Sequence, residues 1–177
     1  MANRIFESPH TPTDSTSCSL NSIENKIIKL DEVSQSRGEK VVLCHGHFNI
    51  IHPGHIRYLN YAREQGMKLV VSIQGDSSFL NSDRKHHFSE DDRATGVASI
   101  QTVDLVVLLG EGNLEKLIKV LNPAVLVLGK EFESDRDDQV RDAVQLMKRQ
   151  GGKTLFHAGE THYASADLLR DNLPNLL

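Results

Sequence analysis

The stretch from His45 to His55 carries four histidines and two glycines between two differently patterned segments. An apolar, strand-like run at residues 41–44 precedes it, and a helical pattern at residues 56–63 follows it. At a strand-to-helix turn, free backbone N–H groups and the positive end of the helix dipole favour an anion. Phosphate chemistry is therefore the first expectation for this chain.

His52 and His55 are separated by Pro53 and Gly54. Proline is favoured at the first helical position, and Gly54 would let a ligand approach the backbone closely. If a helix begins there, both imidazoles lie on one face of its first turn and can donate to the same phosphate. Phosphoryl or nucleotidyl transfer requires mainly alignment of the nucleophile and neutralisation of developing charge. Two imidazoles at a helix N-terminus suit that task.

Other interpretations of these histidines stay open. A single histidine near a helix start is often a surface or capping residue, and His45, His47, His52 and His55 together could bind a metal. The metal hypothesis lacks carboxylate partners at a recognisable spacing, so we assign no residue as a metal ligand. Cys44 fits a small buried hydrophobic residue better than a nucleophile.

Composition limits the class of protein. The chain has 177 residues, 38% of them hydrophobic and 25% charged, which fits one globular domain. Its net charge of −4 gives no overall positive field for nucleic acid or an anionic membrane. Two cysteines form no disulfide framework, and neither a signal peptide nor a membrane span is readable. We expect a cytoplasmic protein with no nucleic-acid or membrane partner.

Apolar runs alternate with amphipathic segments along most of the chain. Residues 1–21 are rich in Ser, Thr, Pro and Asn and predict a flexible tail, and residues 22–177 form the predicted domain. A short lead-in helix is expected between Ser22 and Ser36. Strands are predicted at 40–44, 68–73, 105–109, 125–128 and 154–157, and helices at 53–65, 88–101, 113–121, 137–149 and 165–173. This alternation predicts an α/β fold, a doubly wound parallel sheet of about five strands with helices on both faces.

In such a sheet the ligand binds beyond the carboxyl ends of the strands, where the strand order reverses. The five strand ends nominate His45–Asn49, Gln74–Ser77, Gly110–Gly112, Gly129–Phe132 and Ala158–Ser165.

The run G-H-F-N-I-I-H-P-G-H at residues 46–55 resembles the G-x-F-D-x-x-H-x-G-H signature of the cytidylyltransferase-like nucleotidyltransferases. The flanking residues 28–43 and 56–59 look most like the nucleotidyltransferase domain of bacterial heptose-phosphate enzymes. Glycerol-phosphate cytidylyltransferases look more distant. The similarity extends from about residue 27 to residue 173.

The resemblance implies a Rossmann-like domain in which a phosphate oxygen of the second substrate attacks the α-phosphate of a nucleoside triphosphate and releases pyrophosphate. The implied partners are CTP or ATP, with a slight preference for CTP, and a small phosphorylated sugar or polyol. The product would be an activated, nucleotide-linked precursor. Mg²⁺ would be bound with the triphosphate, and relatives of this kind commonly form homodimers.

The resemblance also implies roles for individual residues. His52 and His55 would stabilise the transition state at the α-phosphate, Arg93 would face the nucleotide phosphates, and Lys85 or its neighbour Arg84 would add positive charge from a loop. The implied nucleotide-binding residues are Gly46, His47, Phe48, Asn49, Gly54, Gly129, Lys130, Glu131 and Ser165.

Alternatives remain for two of the basic residues. Arg93 could be a surface arginine paired with Glu90 or Asp92, and Lys130 could be a solvated lysine in a turn.

The chain departs from the family pattern at several positions. Asn49 replaces the signature aspartate, His47 stands where small or apolar residues are common, and Ala164 and Ala166 replace hydroxyl residues beside Ser165. These departures keep a second hypothesis open, a degenerate nucleotide-binding or sensing module without catalysis. The third hypothesis is the histidine-cluster metalloprotein.

Overall fold

Runs of Val, Leu and Ile form the centre of the molecule, because a parallel strand covered on both faces has no solvent side. The computed structural model describes residues 20–35, 40–79, 88–133 and 138–157. The strands are β1 (Ile27–Lys29), β2 (Val41–Gly46), β3 (Lys68–Ile73), β4 (Leu105–Leu108), β5 (Val125–Gly129) and β6 (Lys153–His157). The helices are α1 (Leu20–Glu24), α2 (Pro53–Glu64), α3 (Glu90–Ala98), α4 (Leu114–Leu121) and α5 (Asp138–Arg149).

The six strands form one sheet in the order β1-β4-β3-β2-β5-β6, and every pairing is parallel. Alternate residues of β2 enter two separate cores. Val41 and Leu43 pack with α4 and α5, whereas Val42 and Cys44 pack with α2 and α3. The predicted doubly wound α/β fold with helices on both faces is confirmed.

The predicted lead-in helix is wrong beyond Glu24. Ile27 and Ile28 instead pair with β4 as an edge strand, so the described sheet has six strands rather than about five. β-branched residues favour the extended conformation. The Lys26 ammonium fixes the strand by donating to the carbonyl oxygens of Ala98 at 3.3 Å and Val103 at 2.9 Å.

The remaining predictions match where the structure describes them. The other five strands and the four helices after β2 lie within three residues of their predicted bounds. The tail up to residue 19 and the helix predicted at 165–173 lie outside the described residues, so the division into tail and domain stays a prediction. None of the described helices is long and apolar enough to cross a membrane.

The order in which strands are added to the sheet reverses between β2 and β5. After β2 the chain builds β3 and β4 on one side, and it then returns to place β5 on the other side. The β2–β5 register ends at the pair Cys44 and Val127, although both strands continue beyond it. The Tyr58 hydroxyl lies at this end of the register, donating to the Val127 carbonyl at 2.5 Å and lying 3.5 Å from the His45 carbonyl. A crevice at such a reversal is where ligands bind in open α/β sheets.

Candidate active site

Phe48 turns the chain from β2 toward α2. Its φ of 49° lies in the left-handed region, and its side chain is only 3% exposed. The ring centroid is 4.9 Å from that of His55 and 6.5 Å from that of Tyr58. A Cβ on Gly46 would come within 3.0 Å of the Phe48 ring, so Gly46 lets the ring fold back against the end of β2. The turn is thus held by a buried aromatic side chain rather than by loose polar residues.

His52 is the N-cap of α2. Its backbone is extended, with φ −139° and ψ 169°, and its Nδ1 accepts a hydrogen bond from the Gly54 N–H at 3.1 Å. Pro53 follows at the first helical position, as the sequence predicts. Because Nδ1 acts as an acceptor, the neutral imidazole carries its proton on Nε2. His52 therefore has the tautomer whose Nε2–H is a hydrogen-bond donor.

Gly54 provides the space that the His52 ring occupies. A Cβ at this position would lie 2.8 Å from Cε1 and 2.9 Å from Nδ1 of His52. The sequence predicts that Gly54 admits a ligand close to the backbone. The structure adds a more local reason for the glycine, since any larger residue would displace the capping imidazole.

His55 lies directly against His52, as the His-x-Gly-His spacing predicts. The two ring centroids are 4.1 Å apart with an interplanar angle of 31°. The pKa of His55 is lowered to about 4, mainly by burial and also by the neighbouring His52, while a hydrogen bond with the Ile50 backbone partly opposes the shift. The His55 imidazole is consequently neutral near pH 7. The pair can offer N–H donors and the helix dipole to a phosphate without two mutually repelling charges.

Arg93, in the first turn of α3, is buried with 2% exposure. Its guanidinium donates to the carbonyl oxygens of His47 at 2.5 Å, Gln74 at 2.8 Å and Phe88 at 3.2 Å. It also forms an ion pair with Asp76 at 2.7 Å. Arg93 thereby connects the turn after β2 to the turn after β3.

This placement answers one of the alternatives for Arg93. The surface arginine paired with Glu90 or Asp92 is wrong, because the side chain is buried and its ion-pair partner is Asp76. A direct contact between Arg93 and nucleotide phosphates stays a prediction.

Asp76 is a site residue that the motif does not reveal. Besides pairing with Arg93, it exchanges two hydrogen bonds with Glu90: each backbone N–H donates to the other's carboxylate at 3.1 Å. Asp76 lies in the strand end Gln74–Ser77 that the parallel sheet nominates. A carboxylate at such a strand end was the available signal, although nothing in the sequence gives its pairing with Arg93.

The turn after β5 forms the other side of the crevice. Gly129 ends β5, and residues Lys130–Glu133, including Glu131, form a short 3₁₀ helix. Lys130 is exposed, whereas Phe132 is 7% exposed and packs into the core. Exposure agrees with the alternative of a solvated lysine and also leaves Lys130 accessible to a phosphate, so both interpretations stay open.

The structure describes most of the predicted site residues but not all of them. Lys85 and Ser165, with Arg84, lie outside the described residues. His47 and Asn49 are half-buried in the turn after β2. Among the described residues, no group of three or more His, Cys, Asp or Glu side chains could hold a metal ion. All four clustered histidines fall within this part of the chain, so the described structure does not support a four-histidine metal site.

A parallel, doubly wound sheet with two imidazoles at a helix N-terminus beside the strand reversal is the architecture expected of a nucleotidyltransferase. Residues 43–171 match the family model described as cytidylyltransferase-like. The chain belongs to this family, which confirms the resemblance based on the His-x-Gly-His motif.

Relatives agree with this assignment. The chain is 35% identical over 133 residues to the bifunctional protein HldE of Aliarcobacter butzleri, covering 73% of this chain and 28% of the relative. It is 39% identical over 114 residues to the protein of the same name in Hydrogenovibrio crunogenus, covering 63% of this chain and 24% of the relative. The chain thus spans about a quarter of the length of these relatives.

One solved structure is similar over nearly its whole length. The lipopolysaccharide core biosynthesis protein from Thermoplasma volcanium is 26% identical with a TM-score of 0.59. The alignment covers 70% of this chain and 99% of that one. The matched region therefore includes nearly all of that chain and the larger part of this one.

Proposed function

We propose that this chain transfers CMP or AMP from a nucleoside triphosphate to the phosphate of a small sugar or polyol. A phosphate oxygen of the acceptor forms a bond to the α-phosphorus, the bond from that phosphorus to the bridging oxygen breaks, and pyrophosphate leaves. The observation that carries the proposal is the His52–His55 pair, with ring centroids 4.1 Å apart at the N-terminus of α2. The product is an activated, nucleotide-linked precursor.

The imidazoles act on the α-phosphate by donating hydrogen bonds as charge develops on its oxygens. His52 is suited to this role because its Nδ1 is occupied by the Gly54 N–H and its proton lies on Nε2. His55 adds a neutral donor beside it. Arg93 holds the backbone of His47 and Gln74 in place around the same space.

Mg²⁺ is proposed to enter as part of the substrate, bound to the triphosphate. Mg²⁺ prefers oxygen ligands and keeps several waters, and the described turn offers imidazoles and Asn49 instead of a carboxylate cluster. The ion would neutralise phosphate charge there.

The proposal extends to the acceptor, the nucleotide, the oligomeric state and the location of the protein. A sugar-phosphate acceptor is supported by the likeness to the lipopolysaccharide core biosynthesis protein and by the resemblance to heptose-phosphate enzymes. CTP and ATP are both proposed nucleotides. A homodimer and a cytoplasmic location complete the proposal.

The test is pyrophosphate release. The protein is incubated with Mg²⁺ and CTP or ATP against a panel of sugar, glycerol and alditol phosphates. We expect release with at least one nucleotide–acceptor pair and none from a His52→Ala/His55→Ala double variant. Asn60→Ala, an exposed residue on the same helix, is the matched control and should retain activity. A panel without release above the double variant would overturn the proposal.

A nucleotide-binding module without catalysis is the second candidate. It is favoured by the replacement of the signature aspartate by Asn49 and of two hydroxyl residues by Ala164 and Ala166. Calorimetric binding of CTP or ATP in the absence of turnover would support this candidate over the transferase.

A further inference from the structure

His45 is a buried histidine that the transfer chemistry does not use. It lies at the carboxyl end of β2 and is 6% exposed. By strand alternation it shares the face of Leu43, which packs with α4 and α5, and its ring centroid is 6.4 Å from that of Phe132. The β2–β5 ladder has already ended at Cys44, so His45 is the first β2 residue beside the crevice.

One hydrogen-bond chain fixes the His45 tautomer. Its Nδ1 is 3.0 Å from the Ser72 hydroxyl, and that hydroxyl donates to the Cys44 carbonyl at 3.1 Å. A carbonyl oxygen can only accept, so the single hydroxyl proton of Ser72 is used on Cys44. Ser72 must then accept from His45, which places the imidazole proton on Nδ1.

The remaining ring nitrogen, Nε2, is therefore a lone-pair acceptor. No hydrogen bond to it is present among the described residues. Burial is the main cause that lowers the pKa of His45 to about 3; the neighbouring His47 adds to the shift, and a hydrogen bond with the Ser72 backbone opposes it. The ring therefore stays neutral and does not turn into a cationic phosphate ligand near pH 7.

We propose that His45 Nε2 recognises a substrate by accepting a hydrogen bond from one of its hydroxyl or amino groups. This inference rests on the proposed function and adds a specificity residue to it. A buried acceptor that loses its water needs a donor in return, so a ligand that supplies one is favoured over an analogue that lacks it. The crevice beside β2 is the place where such a ligand lies.

The donor has two sources with the same chemistry. It belongs either to the sugar or polyol acceptor or to the base and ribose of the nucleotide. His45 thus has a task distinct from that of His52 and His55, which donate to phosphate from the N-terminus of α2.

The kinetic test compares His45→Phe, Ser72→Ala and a Ser99→Ala control that removes an exposed hydroxyl elsewhere. Phenylalanine preserves an aromatic ring beside Phe132 and removes the acceptor. We expect KM for one substrate to rise about tenfold to a hundredfold, with kcat within about threefold of the wild type. Ser72→Ala should raise KM for the same substrate by less, because the ring then samples both tautomers. A rise for the acceptor or for the nucleotide identifies the source of the donor.

Unchanged KM values for both substrates, or a loss confined to kcat, would overturn the proposal. ¹⁵N NMR of the His45 ring gives a readout that needs neither turnover nor a variant. The Nδ1-protonated tautomer is expected in the wild type, with Nε2 shifting when the recognised substrate is added. The proposal would be overturned by an Nε2-protonated ring, or by an Nε2 resonance that does not respond to CTP, ATP or any acceptor phosphate. Failure of the transferase proposal alone would leave the tautomer and the nucleotide-induced shift measurable.

Discussion

The turns after β2 and after β5 face the same crevice but are built differently. In the first, Phe48 is buried at positive φ, the His52 imidazole is bonded to the Gly54 N–H, and Arg93 holds the His47 carbonyl. In the second, a short 3₁₀ helix presents an exposed Lys130. The first side is held by several hydrogen bonds to buried groups, and the second presents an exposed lysine beside the buried Phe132.

The difference fits what each side would bind under the proposed function. Every nucleotidyl transfer needs the α-phosphate held in one geometry, and small displacements are costly to the rate. Fixing the imidazoles before the substrate arrives removes that ordering cost from the reaction. Under the proposed function the base and the acceptor differ among substrates, so the exposed Lys130 side of the crevice suits their recognition.

Loss of either imidazole is the largest expected effect. His52→Ala or His55→Ala should lower kcat by about 100-fold to 1000-fold, because their hydrogen bonds are strongest as charge develops. The nucleotide Kd should change by less than about tenfold. Steady-state kinetics and calorimetry measure the two quantities, and equal losses in binding and turnover would contradict the preorganised donor pair.

Removing Arg93 tests the scaffold behind that turn. Arg93→Leu should lower the free energy of unfolding by about 3 kcal/mol, since buried carbonyl groups and Asp76 lose their donor. Arg141→Ala is the matched control, because its pair with Asp138 is exposed and should be worth less than about 1 kcal/mol. Urea unfolding measures both. Similar losses in the free energy of unfolding for the two variants would mean that the buried bonds of Arg93 stabilise the fold no more than an exposed ion pair does.

Acid should destabilise the fold through its buried histidines. The folded pKa of His55 is about 4 and that of His45 about 3, both below the ordinary histidine value of 6.5. Between about pH 6.5 and 4 the unfolded chain binds protons that the folded chain does not, so the free energy of unfolding falls as pH falls. Each group contributes a slope of about 1 kcal/mol per pH unit in this window, and the effect fades about one pH unit above the unfolded pKa. His55→Phe should flatten the measured pH dependence, and an unchanged slope would contradict the lowered pKa.

Gly54→Ala tests the space behind His52. Alanine normally stabilises a helix relative to glycine, but here its Cβ would lie 2.8 Å from the His52 ring. We expect kcat to fall about tenfold while unfolding changes by less than about 1 kcal/mol. Gly96→Ala on α3 is the control, because its Cβ would meet only the end of the Ile51 side chain at 3.0 Å. Full activity of Gly54→Ala would show that the capping position of His52 is unimportant.

The smallest effect is expected on the β5 side. Lys130→Ala should raise the nucleotide KM about twofold to fivefold and leave unfolding within about 0.5 kcal/mol of the wild type. A loss in the free energy of unfolding as large as that of Arg93→Leu would contradict the contrast between the two turns.

Periodicity predicts the architecture well because buried parallel strands are continuous apolar runs. β2, β3, β4, β5 and β6 are readable for that reason. β1 is not, since three residues carry no period and its strand character comes from pairing with β4. Ile27 and Ile28 favour an extended conformation, but two such residues are too few to predict a strand, and the pairing with β4 decides.

The site residues also fall into two groups: some are positioned by neighbours in the sequence, and others by residues far away in the sequence. His52, Gly54 and His55 are found from spacing, because their relation is set within one helical turn. The partners of Arg93 are up to 46 residues away, and Ser72, which sets the His45 tautomer, is 27 residues from it. Such pairs depend on which strands become neighbours, which a single sequence does not specify residue by residue.

The hydrogen bonds of Tyr58 and Arg93 also determine which sign of charge the crevice tolerates. Carbonyl oxygens at the carboxyl ends of parallel strands would repel a polyanion. Here the Val127 oxygen accepts from Tyr58, and those of His47 and Gln74 accept from Arg93. The fold thus covers its own partial negative charges before a triphosphate arrives, so an acidic protein of net charge −4 can still offer an anion a locally favourable surface.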